Sequence, residues 1–134
     1  MLPSNLPAWL RSLHHDGSEK YVVNPTPRLG ETLRIRLRAD ISAPIRRVLL
    51  RTFPDGEQML TPMWKGMAQP PTQFWEADLS INQPNVHYRF LIQADDGVYW
   101  YTAAGVLNYE PLDATEPGYG SCSARYWKPH GILL

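Results

Sequence analysis

The chain has 134 residues, the size of one ordinary domain, and its 43% hydrophobic and 11% aromatic content supplies a genuine core, which excludes a disordered chain. Thirteen basic residues balance thirteen acidic ones, so no net field draws the protein to nucleic acid or to an anionic membrane, although residues 1–67 hold 10 basic and 6 acidic residues and residues 68–134 hold 3 and 7. A single cysteine, Cys122, excludes an internal disulfide and a Cys-rich zinc site, and together with an N-terminus that has neither a basic leader nor a long apolar run it points to a cytoplasmic protein.

Thirteen prolines leave little room for long helices, so all-β is the expected class. Residues 1–19 read as a lead segment, and within them His14-His15-Asp16-Gly17-Ser18 passes through a polar turn into the strand Tyr21-Val22-Val23. Leu33 to Arg38 alternates apolar and basic residues, the period of a strand with Leu33, Ile35 and Leu37 inward and Arg34, Arg36 and Arg38 in water. Arg47 to Phe53 gives the next strand, Pro54-Asp55-Gly56 its turn, and Glu57 to Met63 its hairpin partner. Trp64, beside Lys65-Gly66, reads as part of a loop. Phe74 to Leu79 alternates again, with Trp75, Ala77 and Leu79 on one face and Glu76 and Asp78 on the other. His87 to Ile92 and Val98 to Tyr101 flank the tight-turn signal Asp95-Asp96-Gly97. Residues 103–120 read as a long loop, Ser123 to Trp127 as a last short strand, and residues 128–134 as a tail or linker. Seven or eight short strands between turn signals, spanning residues 20–127, predict a two-sheet antiparallel sandwich, and period and spacing leave a closed barrel open as well.

The inventory for chemistry is poor. No Gly-rich phosphate loop, GxSxG elbow or HExxH helix is present. Cys122 is a nucleophile only with a histidine beside it and otherwise a packed thiol. Asp95 and Asp96 suit the turn better than a cation. Adjacent His14 and His15 point to opposite sides of an extended chain, so they do not readily ligate one ion together. The aromatic residues are more informative. Sugar rings lay their C–H faces on flat apolar surfaces, and Trp64 and the triplet Tyr99-Trp100-Tyr101 are the candidate glycan contacts, whereas Trp75 and Phe90 fall in phase with core residues. A nucleic-acid surface built on Arg34, Arg36 and Arg38 is a weaker alternative.

The run HHDGSEKYVVNPTPRLGETLRIRLR, His14 to Arg38, resembles the opening of the N-terminal module of cyclomaltodextrinases, neopullulanases and maltogenic amylases of the α-amylase superfamily. Two later blocks agree in order and spacing: Arg51-Thr52-Phe53-Pro54-Asp55-Gly56-Glu57 through Met63, and Tyr88-Arg89-Phe90 followed by Asp96-Gly97 and Tyr99-Trp100-Tyr101-Thr102-Ala103-Ala104-Gly105. Trp75-Glu76-Ala77 fits the strand before that last block. The resemblance implies an immunoglobulin-like β-sandwich classed among starch-type carbohydrate-binding modules of family 34. It implies α-1,4-glucan or maltodextrin as ligand and a downstream (β/α)8 barrel carrying the catalytic carboxylates, so that this stretch has no catalytic residue, metal or cofactor of its own. In several relatives such modules form a homodimer in which one module shapes the partner's active site. Lys128 to Leu134 departs from the tyrosine- and phenylalanine-rich start of the barrel in those proteins.

Overall fold

A computed structural model describes residues 6–16, 18–23, 28, 30–53, 56–81 and 86–109, with the backbone of 122–123. The strands are β1 (Val22–Val23), β2 (Thr32–Asp40), β3 (Ile45–Thr52), β4 (Met59–Pro62), β5 (Trp64–Gln69), β6 (Thr72–Ser80), β7 (His87–Ala94), β8 (Gly97–Thr102), β9 (Gly105–Leu107) and β10 (Cys122–Ser123). They form two antiparallel sheets. A front sheet of four strands runs β1-β2-β6-β5, and a back sheet of six runs β4-β3-β7-β8-β9 with β10 added beside β7. This is an immunoglobulin-like β-sandwich, as the family resemblance implies, and not the closed barrel that period and spacing left open. No helix among the described residues is long and apolar enough to cross a membrane.

The core follows from the alternation. Leu33, Ile35 and Leu37 of β2 face Val48 and Leu50 of β3 and Phe90 and Ile92 of β7 across the sandwich, with Trp75 and Ala77 of β6 beside them, all buried. Met63, where the chain crosses from one sheet to the other, is buried too. Asp95-Asp96 is the predicted two-residue turn, closed by pairing of Ala94 with Gly97, whose φ of 149° suits a residue without a side chain.

Two expectations are corrected, and a third is met in part. Trp64 does not lie in a loop, because residues 64–69 pair with β6 as the edge strand of the front sheet. The loop expected over 103–120 contains β9, which pairs with β8 after the turn Ala103-Ala104, while residues 110–120 lie outside the described part. The last strand is seen at Cys122–Ser123, and residues 124–127 of the expected strand, like Pro54 and Asp55 of the expected turn, also lie outside it.

The described residues ahead of β1 pack against the sandwich. A short 3₁₀ turn, Ala8–Ser12, buries Leu10, and Leu13 follows it into the core. Trp9 packs edge-on against Tyr99 with ring centres 5.7 Å apart, and its Nε1–H donates to Asp96 Oδ2 at 2.8 Å. That bond ties the first residues to the β7–β8 turn. Asp96→Ala is therefore expected to cost about 1 kcal/mol, the ordinary net value of one such hydrogen bond, measured as a lowered urea midpoint with an unchanged slope.

Candidate functional site

The outer face of the front sheet is where charge and exposed aromatic surface meet. Antiparallel register sets the basic row of β2 against the acidic row of β6, Arg34 opposite Asp78 and Arg36 opposite Glu76. Arg34 donates Nε and Nη2 to the two Asp78 oxygens at 2.9 and 3.2 Å, and Arg36 Nε donates to Glu76 Oε1 at 2.9 Å. The hydrogen bond to Asp78 raises the Arg34 pKa further above its usual value. Two of the three arginines on which a nucleic-acid surface would depend are thus neutralised within the sheet.

Trp64 stands at the start of β5, directly across from Glu76. Its side chain is open to solvent, with 42% of the residue exposed, and the Arg34 guanidinium carbon lies 5.1 Å from its ring centre. Val23, Thr32, Arg34, Arg36 and Asp78 line an open basin of about 310 Å³ that shares Arg34 with the Trp64 ring. A flat apolar plate beside a rigid fork of donors and acceptors, its charges already compensated, suits a neutral polyhydroxylated ligand better than an anion.

The triplet of β8 is placed elsewhere. Tyr99 points into the sandwich, 5% exposed, with its hydroxyl donating to the Asp96 carbonyl at 3.3 Å. Burial, with Asp96 nearby, raises its pKa. Tyr101 lies on the same inward side, half-buried, and its hydroxyl accepts from the His15 backbone N–H at 3.3 Å. Trp100 projects to the other side of the back sheet, but there Leu49, Leu91 and Leu107 pack around it and leave it 6% exposed. Burial therefore leaves neither Tyr99 nor Trp100 a free ring face for a sugar. Of the four residues proposed from sequence as glycan contacts, Trp64 is exposed, Tyr101 is half-buried, and Tyr99 and Trp100 are buried. The structure does not bring Trp64 together with the triplet, which belongs to the other sheet.

The two histidines diverge as adjacent residues of an extended chain must. His15 is buried, its Nδ1–H donating to the Arg36 carbonyl and its Nε2 accepting from the Tyr88 hydroxyl, both at 2.7 Å. Only one tautomer satisfies both partners, since the carbonyl can only accept. Burial holds the ring neutral, with a pKa lowered to about 4. Both nitrogens are thus committed to structure rather than to a metal. His14 turns outward to Asp16, Nε2 to Oδ2 3.0 Å, with its ring 4.9 Å from that of Tyr21. Burial works to raise the Asp16 pKa, but hydrogen bonds from Ser18 and His14 outweigh it and hold the carboxyl below its usual value. Among the described residues no group of three His, Cys, Asp or Glu side chains is placed to hold a metal ion.

Sequence reasoning named Trp64 but missed Asp78, Glu76 and Gly66 around it as members of a site, and gave Arg34 only to a nucleic-acid surface. The signal was available: one strand alternates with arginine and another with acids, and antiparallel pairing of the two would bring those rows together.

Comparison with known proteins agrees with this architecture. The family model described as alpha amylase, N-terminal ig-like domain, matches residues 9–120. Among solved structures, a cyclomaltodextrinase superposes with a TM-score of 0.71 at 18% identity, covering 86% of this chain and 19% of that one. A maltogenic amylase from S. marinus gives a TM-score of 0.64 at 12% identity, covering 92% of this chain and 15% of that one. The chain therefore spans less than a fifth of either relative's length. No curated protein sequence matches it.

Proposed function

Because the chain belongs to the family of N-terminal Ig-like domains of alpha amylases, we propose that it is a noncatalytic module that holds an α-1,4-glucan or maltodextrin for a glycoside hydrolase barrel in the same protein. The observation that carries this reading is the exposed Trp64 ring beside the compensated Arg34–Asp78 fork. The ring offers a hydrophobic plate for the face of a glucose unit, and the fork offers hydrogen bonds to its hydroxyls without an uncompensated charge. One plate on an open face gives weak binding, since little area offsets the entropy of association. In a titration of the protein with maltoheptaose followed by tryptophan fluorescence, Trp64→Ala is expected to weaken binding by at least about tenfold, as loss of an aromatic anchor does. Failure of the unaltered protein to respond at millimolar maltoheptaose would refute the reading.

A second reading is favoured by one observation. Phe53, Met59, Leu60, Trp64 and Met67 are all exposed, and they lie along β4, β5 and the end of β3, where the chain passes from the edge of one sheet to the edge of the other. Such a concentration of large apolar residues on one margin suits a protein interface, in this reading a homodimer. Sedimentation separates the two: Leu60→Asp would dissociate a dimer and leave maltoheptaose binding intact, whereas under the first reading it changes neither mass nor affinity.

A further inference from the structure

We infer that Gly66 and Glu76 form a coupled pair that positions the Trp64 ring, an inference that rests on the reading of Trp64 as the glucan platform. The edge strand β5 is irregular. Lys65 pairs with Trp75, but the next pairing joins Ala68 to Gln73, so β5 holds one residue more than β6 between them, which is a β-bulge. Gly66 lies in that bulge. A Cβ added there would fall on the Glu76 carboxylate, so the carboxylate occupies the space that a side chain at position 66 would need.

The groups beneath the bulge are buried and bonded. Glu76 is 6% exposed and is held from the far side by Arg36 Nε at 2.9 Å. Gln73, 8% exposed, donates its side-chain amide to the carbonyls of Gly66 at 3.2 Å, Met67 at 3.4 Å and Phe74 at 2.9 Å. A plain edge strand has no need of a buried carboxylate and a buried amide, which are costly to desolvate and are tolerated where they fix a geometry. Here the geometry they fix is that of the strand that begins at Trp64, and Trp64 is the register partner of the same Glu76. With Arg34 against the indole and Asp78 holding Arg34, the ring lies against one cross-strand ion pair, and its own register partner Glu76 belongs to the other. Preorganisation of this kind matters most for a weak site, because a ring already held in place loses less freedom on binding.

Gly66→Ala should displace the carboxylate and shift the bulge. In protein labelled with 5-fluorotryptophan, with the Trp64 resonance assigned by Trp64→Phe, this variant is expected to move the Trp64 signal and to weaken maltoheptaose binding about tenfold. Glu76→Ala, which creates a gap in place of a clash, is expected to move the same signal. The double variant puts a methyl where the carboxylate was and should return the signal at least halfway, a recovery that independent structural damage at two sites would not give. If Gly66→Ala does not fold, Glu76→Ala alone carries the test. An unchanged Trp64 resonance in every single variant that folds would overturn the inference. If the resonance moves as stated but the unaltered protein binds no maltoheptaose, the positioning pair stands and the glucan reading fails.

Discussion

Phe90→Ala is expected to lower the unfolding free energy by about 3–5 kcal/mol, the range for removing a large aromatic side chain from a tight interior. Phe90 is completely buried in β7, between Leu50 of β3 and Tyr101 of β8 in register. Its ring is also the meeting point of an aromatic cluster, with His15, Tyr88 and Tyr101 centred 5.0, 5.9 and 6.1 Å away. Truncation leaves a cavity that rigid ring neighbours cannot easily close, which places the loss toward the upper end of the range. Since domains of this size are stable by only about 5–15 kcal/mol, a substantial part of the molecule's stability would go. Urea denaturation followed by near-UV circular dichroism measures it. A loss below about 1 kcal/mol would show that Phe90 does not hold the two sheets together in the way described.

Strands buried on one side were legible because alternation is a direct trace of a half-buried strand. Leu33, Ile35 and Leu37 are all fully buried, with Arg34, Arg36 and Arg38 on the opposite side. The same rule gave Trp75 and Ala77 to the core. It failed for β5 because Trp64–Gln69 is an edge strand whose residues are exposed on both sides, so the sequence WKGMAQ carries no period. It also said nothing of Phe74, which faces away from the sandwich interior yet is 1% exposed, with Lys20 Nζ 5.7 Å from its ring centre and the Tyr21 ring 6.2 Å away. Local pattern cannot report a cover supplied by a distant segment.

The candidate site shows the same limit from the other side. Alternation correctly sent Trp100 and its two flanking tyrosines to opposite faces of β8, but the inference that one face was therefore exposed needed knowledge of the neighbours. Register lines Leu49, Leu91, Trp100 and Leu107 into one row across four strands, and that row is apolar. A tryptophan on the outer face of a sheet can thus be buried, while Trp64, read as part of a loop, stands free on an edge strand. What sets Trp64 beside the Arg34–Asp78 pair is cross-strand pairing with Glu76 and contact with Arg34, both long-range facts.

Acidification from pH 6.5 to pH 4 is expected to remove about 3 kcal/mol of stability through His15 alone, the linkage value of a pKa lowered from 6.5 to about 4. The unfolded chain takes up a proton on this ring near pH 6.5, whereas the folded protein resists it until about pH 4. The stabilisation is therefore complete above pH 6.5, declines through that interval, and levels off once the folded ring is protonated as well. The physical cause is burial, which outweighs the Nδ1–H bond to the Arg36 carbonyl and the nearby Asp16 carboxylate, both of which work to raise the pKa. Protonation would place a charge in the buried space between the sheets and would require the Tyr88 hydroxyl to turn from donor to acceptor toward Nε2–H. His87, half-buried and near Arg89, has its pKa lowered by burial and by that arginine, and it contributes a smaller change of the same sign. His15→Asn keeps an amide able to donate to a carbonyl but cannot titrate. It should lower stability at pH 7 and flatten the dependence between pH 6.5 and pH 4, leaving the residual slope from His87 and, toward pH 4, from Asp16. Guanidinium unfolding at half-unit pH steps on both proteins reads the two curves, and parallel curves would show that His15 is not the group that makes the sandwich acid-labile.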